Sequence, residues 1–547
     1  MCSSLTNSKA RGTVEGPRSI PLILLPKPIH FAGWEVGNLQ AGVPNLLPEG
    51  LQWIKSRTGL MAPFPTSQHA PWERSRPSTA GGSEPALELP TKPLLKSFLD
   101  VYMSSPMHRI FPVIYPPLFS QTIQAAYTHA NRPQPQYHGA RACILAFMAV
   151  VSSLHYLDSS YNGAQLRSIP LDAYIAHASA LLPAIIQEPL NLDALQTAIS
   201  LALISILAGE VQTAIHYTSI ASRLIIASGA HIMSDDMDCN STVPSIFRQH
   251  LRSLFWFCYT LDKDLALRTG QPHCLRDDDC NLDIHPMYQE NLHLCLEYSP
   301  ATADTNFGGP IFPSDLRLSK IKSRTFAALY SHKASHKSDI NLLRSIRELD
   351  EELECWRISL PENLRPQLSF TPTHSKPKNT YIVFMHMNYY CCVNLIHLAS
   401  GRCSAWRSTS PVIGMLDGLQ SSLALSVEAS RSLLLFLEDS EARISATSFW
   451  YVNLKSPSSL PPRSLTTTSR ALLFYPMSAV ITIFCNLLQN PHADSARRDL
   501  HLLTLAETAT ARVFLRRDSV FDRVSDLQPV SKFISGLREH AQRAIQG

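Results

Sequence analysis

The chain has 547 residues, of which 45% are apolar, so it is long enough to bury at least one sizeable core. Its 48 basic and 44 acidic residues leave a net charge of only +4, and no run of five lysines or arginines occurs. This balance argues against a polybasic targeting signal or a basic tail that binds nucleic acid.

The first part of the chain, residues 1–93, is predicted to be an irregular segment and linker. Proline and glycine are frequent there, and helical periodicity is weak. A short island at residues 45–59 differs because it contains the adjacent apolar pair Trp53 and Ile54. We predict that this island is a short helix that docks on the main body. Residues 75–93 read as a linker by composition.

Strong helical periodicity begins at residue 94. The first predicted helix carries apolar side chains at Leu95, Phe98, Leu99 and Tyr102. Further helices are predicted at residues 141–157, which are strongly apolar, and at about residues 172–187.

A helical hairpin is predicted at residues 191–229, with Gly209 at the turn and Gly229 as a C-cap. Small residues on both helices, such as Ala202 and Ala214, would allow a close approach. The longest apolar run of the chain, residues 194–208, lies in this hairpin. It is shorter than the roughly 20 residues needed to cross a bilayer, so we expect an intracellular chain without a membrane partner.

The most informative element is the predicted helix at residues 245–268. Its apolar residues follow steps of four and three, which place them on one continuous stripe of an α-helix; they are Phe247, Leu251, Leu254, Cys258, Leu261 and Leu265. Phe255, Trp256 and Tyr259 widen this stripe. We therefore predict that the helix is among the most buried elements of the fold.

The central helix and the loop after it contain an ordered string of motifs. An arginine precedes Leu-Phe-Trp at residues 252–256, and Tyr-x-Leu-Asp-Lys follows at 259–263. Gly-x-Pro at 270–272, Asp-x-Asp at 277–279 and a closing Pro286 complete it. This string resembles the regulatory domain, or middle homology region, of the fungal zinc-cluster transcription factors.

Other segments are similar to the same family. They include the Gly-Leu-x-Trp-Ile island at 50–54, the His-x-x-Phe-Pro turn at 108–112 and the segment from Ala221 to His231. Ala230 departs from the leucine that is usual in that last segment. The resemblance covers residues 94–360 well and 380–515 more loosely. It implies nuclear control of transcription, often of a metabolic gene cluster, by a helical domain that responds to contacts or to a ligand.

The second half of the chain continues the helical pattern. Apolar stripes predict helices that end at Leu360-Pro361 and at Gly401, then helices at 474–488 and 495–515. No convincing series of alternating strands is visible. A segment rich in serine, threonine and proline, about 452–470, interrupts the pattern and is predicted to be a solvated loop or a disordered insertion, or else a gene-model artefact.

The twelve cysteines are scattered, as is typical of reduced, buried thiols rather than of a disulfide framework. No Cys-x-x-Cys pair occurs, and only Cys2 precedes residue 143. The family's DNA-binding module needs six closely spaced cysteines to hold two zinc ions. We therefore expect that module to be absent, and zinc to be a cofactor only if a missing N-terminal module exists.

The loop after the central helix carries four residues of types that bind metals. His273, Cys274, Cys280 and His285 offer ligand atoms, but their spacing fits no structural zinc pattern. A loop with one or two buried thiols explains these residues better. We predict that purified chain holds no stoichiometric zinc, and we assign no metal ligands.

An enzyme was also considered, because Asp277, Asp278, Asp279 and Asp283 partly resemble the magnesium-binding box of all-helical terpene cyclases. The triplet follows a helix breaker, and no second magnesium box lies downstream. Carboxylates that cap a helix or pair with Arg276 are the better interpretation.

The acid Asp262 is interpreted as a hydrogen-bonded or ion-paired structural carboxylate, with Arg252 or Arg268 as candidate partners. Phosphate-binding, dinucleotide-binding, nucleophile-elbow and zinc-protease motifs do not occur. We therefore predict no catalytic, cofactor-binding, metal or DNA-binding residue in the chain and no enzyme activity.

These observations predict an all-α protein with a helical regulatory domain at residues 94–547. We expect a nuclear transcription regulator that controls a metabolic or secondary-metabolite gene set. It would reach DNA only through a missing module or a partner protein, would contact the transcription machinery or a co-regulator, and could form a homodimer. Two alternatives stay open: a helical interaction scaffold without DNA binding, and an all-α magnesium-dependent enzyme.

Overall fold

The structure is a computed structural model. It describes residues 27–40, 43–60, 87–105, 107–128, 135–155, 169–234, 244–297, 309–371, 380–409, 414–446, 474–514 and 528–547. Helices dominate these residues, and the strands form one small sheet. The all-α prediction is therefore confirmed for the bulk of the chain.

A three-stranded antiparallel sheet, in the order β1-β2-β3, corrects the expectation that the N-terminal segment is irregular. The strands are β1 (Lys27–Phe31), β2 (Trp34–Gln40) and β3 (Val43–Leu46). Ala32 and Gly33, with φ of 46° and 84°, form the tight turn between β1 and β2. Strands this short, interrupted by prolines, carry too few alternating apolar residues to be recognised by periodicity.

Helix α1 (Pro48–Thr58) packs on the sheet and confirms the predicted island. Trp53 and Ile54 are both 1% exposed, and the Trp53 ring stacks on Trp34 with a centroid distance of 6.3 Å. Gly50 is needed for this contact because a Cβ atom there would lie 1.9 Å from the Val36 carbonyl oxygen.

The sheet is docked on the helical body rather than attached through a free linker. The Gly33 amide donates a hydrogen bond to the Gly401 carbonyl at 2.8 Å. The Thr58 hydroxyl lies 3.2 Å from Nδ1 of His540, near the end of the chain. These contacts join the N-terminal segment to both the middle and the end of the helical fold.

The first group of body helices contains the predicted hairpin. Its members are α2 (Lys92–Ser104), α3 (Met107–Ile110), α4 (Pro116–Thr128), α5 (Pro135–His155), α6 (Leu171–Ile185), α7 (Leu192–Leu207) and α8 (Val211–Ala227). Helices α7 and α8 turn at Gly209 with φ of 72°, and Gly229 follows α8 with φ of 73°. Both glycines therefore hold the left-handed backbone that the hairpin prediction requires.

Helix α9 (Ser245–Thr269) is the predicted central helix. Phe255 is fully buried and Trp256 is 3% exposed, which confirms its predicted burial. Gly270 ends it with φ of 75°.

The remaining helices complete one large hydrophobic core, to which the sheet also contributes. They are α10 (Met287–Glu297), α11 (Leu316–Thr325), α12 (His332–Ser335), α13 (Asp339–Ile358), α14 (Thr380–Leu398), α15 (Met415–Ala446), α16 (Phe474–Gln489), α17 (Ala496–Phe514) and α18 (Gln528–Gln546). The predicted insertion at 452–470 and most of the predicted linker at 75–93 lie outside the described residues.

Within the described part of the chain, one stretch, Tyr381–Arg402, is long and apolar enough to cross a membrane. In the fold, 94% of its most apolar window is buried against other helices. Its composition is therefore accounted for by its place in the core.

Candidate functional site at the central helix

Helix α9 carries charged residues into the core. Lys263 is fully buried, and Arg252 and Asp262 are each 4% exposed. A buried charge is very costly unless it is paired and hydrogen-bonded. The partners of these groups therefore decide what the site can do.

The first group, which we call the Lys263 cluster, consists of Asp262, Lys263 and Asp277. The Asp262 carboxylate accepts hydrogen bonds from the backbone amides of Cys274 and Leu275 at 2.9 and 3.1 Å. Lys263 Nζ lies 3.4 Å from Asp262 and 3.5 Å from Asp277, and it donates to the Leu275 carbonyl. Burial raises the pKa of Asp262, while Lys263 and the two amides counteract this effect.

Asp277 connects this cluster to helix α11. Its Oδ1 accepts hydrogen bonds from the Tyr259 hydroxyl at 2.9 Å and from the Ser323 hydroxyl of α11 at 2.8 Å. Burial and the neighbouring Asp277 raise the pKa of Tyr259, so this phenol stays protonated and donates. The loop after the central helix is thus fastened to both α9 and α11.

The second group, the Lys322 cluster, consists of Asp264, Arg268 and Lys322. Lys322 Nζ lies 2.9 Å from Asp264 and also donates to the side-chain oxygen of Asn388 on α14. Burial would raise the pKa of Asp264, but Arg268 and Lys322 outweigh that effect and hold its pKa below the usual range. Tyr475 of α16 contacts Arg268 and Asn388 at 3.2 and 3.0 Å. The cluster therefore joins four helices.

Arg252 fastens the far end of the same loop. Its guanidinium donates to the carbonyls of Asn281 and Asp283 at 2.8 and 3.1 Å. It also lies over the rings of Phe255 and Trp256, at 4.6 and 4.9 Å from their centroids. The spacing of the motifs therefore places the arginine where it can contact both the aromatic rings of the Leu-Phe-Trp motif and the loop that follows the helix.

Asp262 is a hydrogen-bonded and ion-paired structural carboxylate, as predicted, but its partners are not the two candidate arginines. Arg268 pairs with Asp264 and Arg252 with loop carbonyls, whereas Asp262 uses Lys263 and two loop amides. Adjacent helix residues do not face each other, so a sequence reading does not favour a bond between positions 262 and 263. The loop folds back over both side chains and hydrogen-bonds to each, which holds them close together.

The four ligand-type residues of the loop do not converge. His273 packs edge-on against Phe326, and Cys274 contacts the Ser219 hydroxyl. Cys280 is a half-buried free thiol, and Nδ1 of His285 accepts a hydrogen bond from the Met287 amide. Burial and the nearby Lys263 lower the pKa of His273 to about 4. No group of three or more potential metal ligands occurs within the residues that the structure covers.

The acidic triplet divides into one buried and two exposed members. Asp277–Asp279 form a single 3-10 turn, in which Asp278 and Asp279 point to solvent and lie 3.6 and 3.8 Å from Arg276. The predicted pairing with Arg276 is confirmed for these two, while Asp277 belongs to the Lys263 cluster. The three carboxylates do not present a common face to a diphosphate. The arrangement is suited to holding the loop in place.

Residues 95–358 match the family model of the fungal specific transcription factor domain. This range includes the central helix, its loop and both charged clusters except for the contacts from α14 and α16. No solved structure matches the chain.

Curated relatives are similar over a longer stretch. The chain is 27% identical to the ABC-transporter-regulating transcription factors of Aspergillus fumigatus and Aspergillus oryzae, over 84% of this chain and 49% of each relative. It is 22% identical to the Fusaridione A cluster transcription factor of Fusarium heterosporum, over 60% of this chain and 58% of that protein. The chain spans about half the length of the Aspergillus relatives that it matches.

Proposed function

From the fungal specific transcription factor domain that this chain carries at residues 95–358, we propose that the protein is a nuclear transcription regulator of the zinc-cluster type. The observation that carries this proposal is the match of that domain to the part of the fold built around α9. The relatives support it, because those named by function are transcription factors.

The proposed targets are a metabolic or secondary-metabolite gene set. One relative is named for a biosynthetic cluster and two for the regulation of ABC transporters. The described site supports a regulatory rather than an enzymatic role, because the two charged clusters use their charged groups for internal contacts. We propose that the chain is not an enzyme and that α9 and its loop transmit or stabilise a regulatory state.

Promoter recognition is proposed to come from a six-cysteine zinc module or a partner protein, with a co-regulator or the transcription machinery as further partners. Specific binding requires an element that reaches base edges and a basic surface that neutralises phosphates. In this chain 48 basic residues are interspersed with 44 acidic ones. We also propose that a homodimer is compatible with this role.

Deleting the gene and profiling transcripts tests the regulatory function. We expect altered transcript levels for a limited set of metabolic genes and reversal when the full chain is restored. The matched control is restoration with a chain whose central helix is disrupted, which should not reverse the change. Unchanged transcripts under all growth conditions tested would favour the interaction scaffold instead.

A binding titration tests the DNA proposal separately. The isolated 547-residue chain is titrated against candidate promoter duplexes and random duplexes at physiological salt. We expect only nonspecific binding with a Kd of roughly 10⁻⁴–10⁻⁶ M and a steep salt dependence. Nanomolar, sequence-selective binding by the chain alone would refute the assignment of promoter recognition to another module or partner.

A further inference from the structure

A cleft of about 390 Å³ opens between α13 and α14, apart from both charged clusters. Helix α13 contributes a polar stripe and α14 contributes a mixed one, each at helical spacing; the six residues are Asp350, Glu354, Arg357, Tyr389, Val393 and His397. Leu368 and Leu425 add apolar surface. The volume lies in the range of small-molecule sites, which combine apolar walls with a few polar groups.

Only one of the two carboxylates that line the cleft is paired with an arginine. Glu354 is held by Arg357 through two hydrogen bonds of 2.6 and 2.7 Å, which neutralises both side chains. Asp350 is about half exposed and has one polar partner among the described residues, Nε2 of His397 at 3.1 Å. The other ring nitrogen of His397 lies 3.0 Å from the Ser422 hydroxyl. One oxygen of Asp350 therefore remains available to a positively charged donor.

A second group is also left without a protein partner. Tyr389 is 4% exposed, and its hydroxyl makes no hydrogen bond with the residues that the structure describes. Its ring is fixed by stacking on Trp356, with a centroid distance of 6.2 Å and an interplanar angle of 24°. Burial, together with Glu354 and Asp350, raises the pKa of Tyr389 to about 12, so its hydroxyl is neutral. Although the residue as a whole is buried, its hydroxyl oxygen keeps contact with solvent, so a ligand in the cleft can reach it.

We propose that this cleft binds a small organic ammonium compound with an apolar body. The ammonium group would donate to the free oxygen of Asp350, and the Tyr389 hydroxyl would accept a second hydrogen bond from it. The apolar body would cover Leu368, Val393 and Leu425. A carboxylate-bearing ligand is disfavoured because Asp350 would repel it. The site is independent of the proposed role in transcription and can be tested on the purified chain.

Calorimetric titration of the full chain with three matched probes tests the proposal. Tryptamine, tryptophol and indole-3-acetate share an aromatic body and carry an ammonium, a hydroxyl and a carboxylate group, respectively. We expect saturable binding of tryptamine that is about tenfold tighter than that of tryptophol, because a hydrogen bond to a charged group is stronger than a neutral one and Asp350 is half screened by solvent. Indole-3-acetate should bind least.

Variants assign the effect to named groups. Asp350→Asn should lower the affinity for tryptamine to that for tryptophol, and the affinity for tryptophol should stay unchanged. Tyr389→Phe keeps the stacked ring and should lower the affinity for tryptamine by a few-fold. The matched control is Glu351→Gln, which removes an exposed charge from the adjacent position of the same helix and should preserve tryptamine binding.

Several outcomes would overturn the assignment. They are the absence of saturable binding at millimolar tryptamine, equal affinities for the three probes, and an Asp350→Asn chain that is folded by circular dichroism and binds tryptamine as before. Each of these results would leave the transcriptional proposal standing, since that proposal is tested by transcript levels.

Discussion

Charged side chains gather at two places in this fold, and the two places treat them differently. Around α9, the carboxylates of Asp262 and Asp264 are each met by a cation, and Asp262 also receives two backbone amides. In the cleft between α13 and α14, Asp350 is half exposed and the Tyr389 hydroxyl has no hydrogen-bond partner among the residues that the structure covers. Saturated buried charges hold elements together, whereas unsaturated groups in a cleft can bind a ligand.

The largest effect is expected when a saturated cluster loses its cation. Lys263→Met should lower the free energy of unfolding by about 3–5 kcal/mol, because it leaves Asp262 buried without its cation. Chemical denaturation measures this change. Lys333→Met, at an exposed position, is the control and should have little effect. A loss below about 1 kcal/mol for Lys263→Met would mean that the cluster is not a stabilising unit.

A smaller, pH-dependent effect is expected at the Lys322 cluster. Asp264→Asn should cost about 2–3 kcal/mol at neutral pH, since it leaves Lys322 and Arg268 without their carboxylate. The pKa of Asp264 is lower in the folded chain than its unfolded value of about 4. Its contribution is therefore complete above about pH 4 and is lost as the pH falls through the folded pKa.

Denaturation of the original chain and the Asp264→Asn variant at several pH values measures this difference. The two stabilities should converge as the pH is lowered below about 4. A difference that stays constant down to the acid transition would show that the lost interaction is not the one between charged groups.

A substitution in the cleft should affect the free energy of unfolding much less than a substitution in either cluster. Asp350→Asn is expected to change the free energy of unfolding by no more than about 1 kcal/mol, because Asp350 is half exposed. Thermal or chemical unfolding of this variant beside Lys263→Met makes the comparison direct. If the two variants were equally destabilised, the distinction between saturated and unsaturated sites would fail.

The smallest effect is expected at the exposed end of the acidic turn. Asp279→Asn should alter stability by at most about 0.5 kcal/mol, because Asp279 and Arg276 are both largely exposed. The same denaturation assay applies. A larger loss would show that the exposed pair contributes to fixing the loop after α9.

Local periodicity predicts many of the helices, but α4, α10, α11 and α18 are not among them. The stripe from Phe247 to Leu265 predicts α9, and glycines mark the turns of the α7–α8 hairpin. Periodicity does not predict the short strands of the sheet because they carry too few alternating residues. Their burial also depends on contacts with distant segments such as Gly401.

The partners in the site depend on the tertiary fold, and sequence reasoning found only some of them. The pairing of Arg276 with its neighbours is local and was predicted, whereas Lys322 meets Asp264 across 58 positions of the chain. The cleft was missed for the same reason. Asp350, Tyr389 and His397 come from two helices, and nothing in their individual spacing indicates that they converge.

The proposed role in transcription is tested most directly by a tethering assay. The full chain is fused to a heterologous DNA-binding domain whose sites stand upstream of a reporter gene. Reporter transcription should differ from that with the DNA-binding domain alone, and Lys263→Met, but not Lys333→Met, should abolish the difference. An unchanged reporter, with the fusion present in the nucleus and bound at its sites, would contradict the assignment of this chain as a transcription regulator.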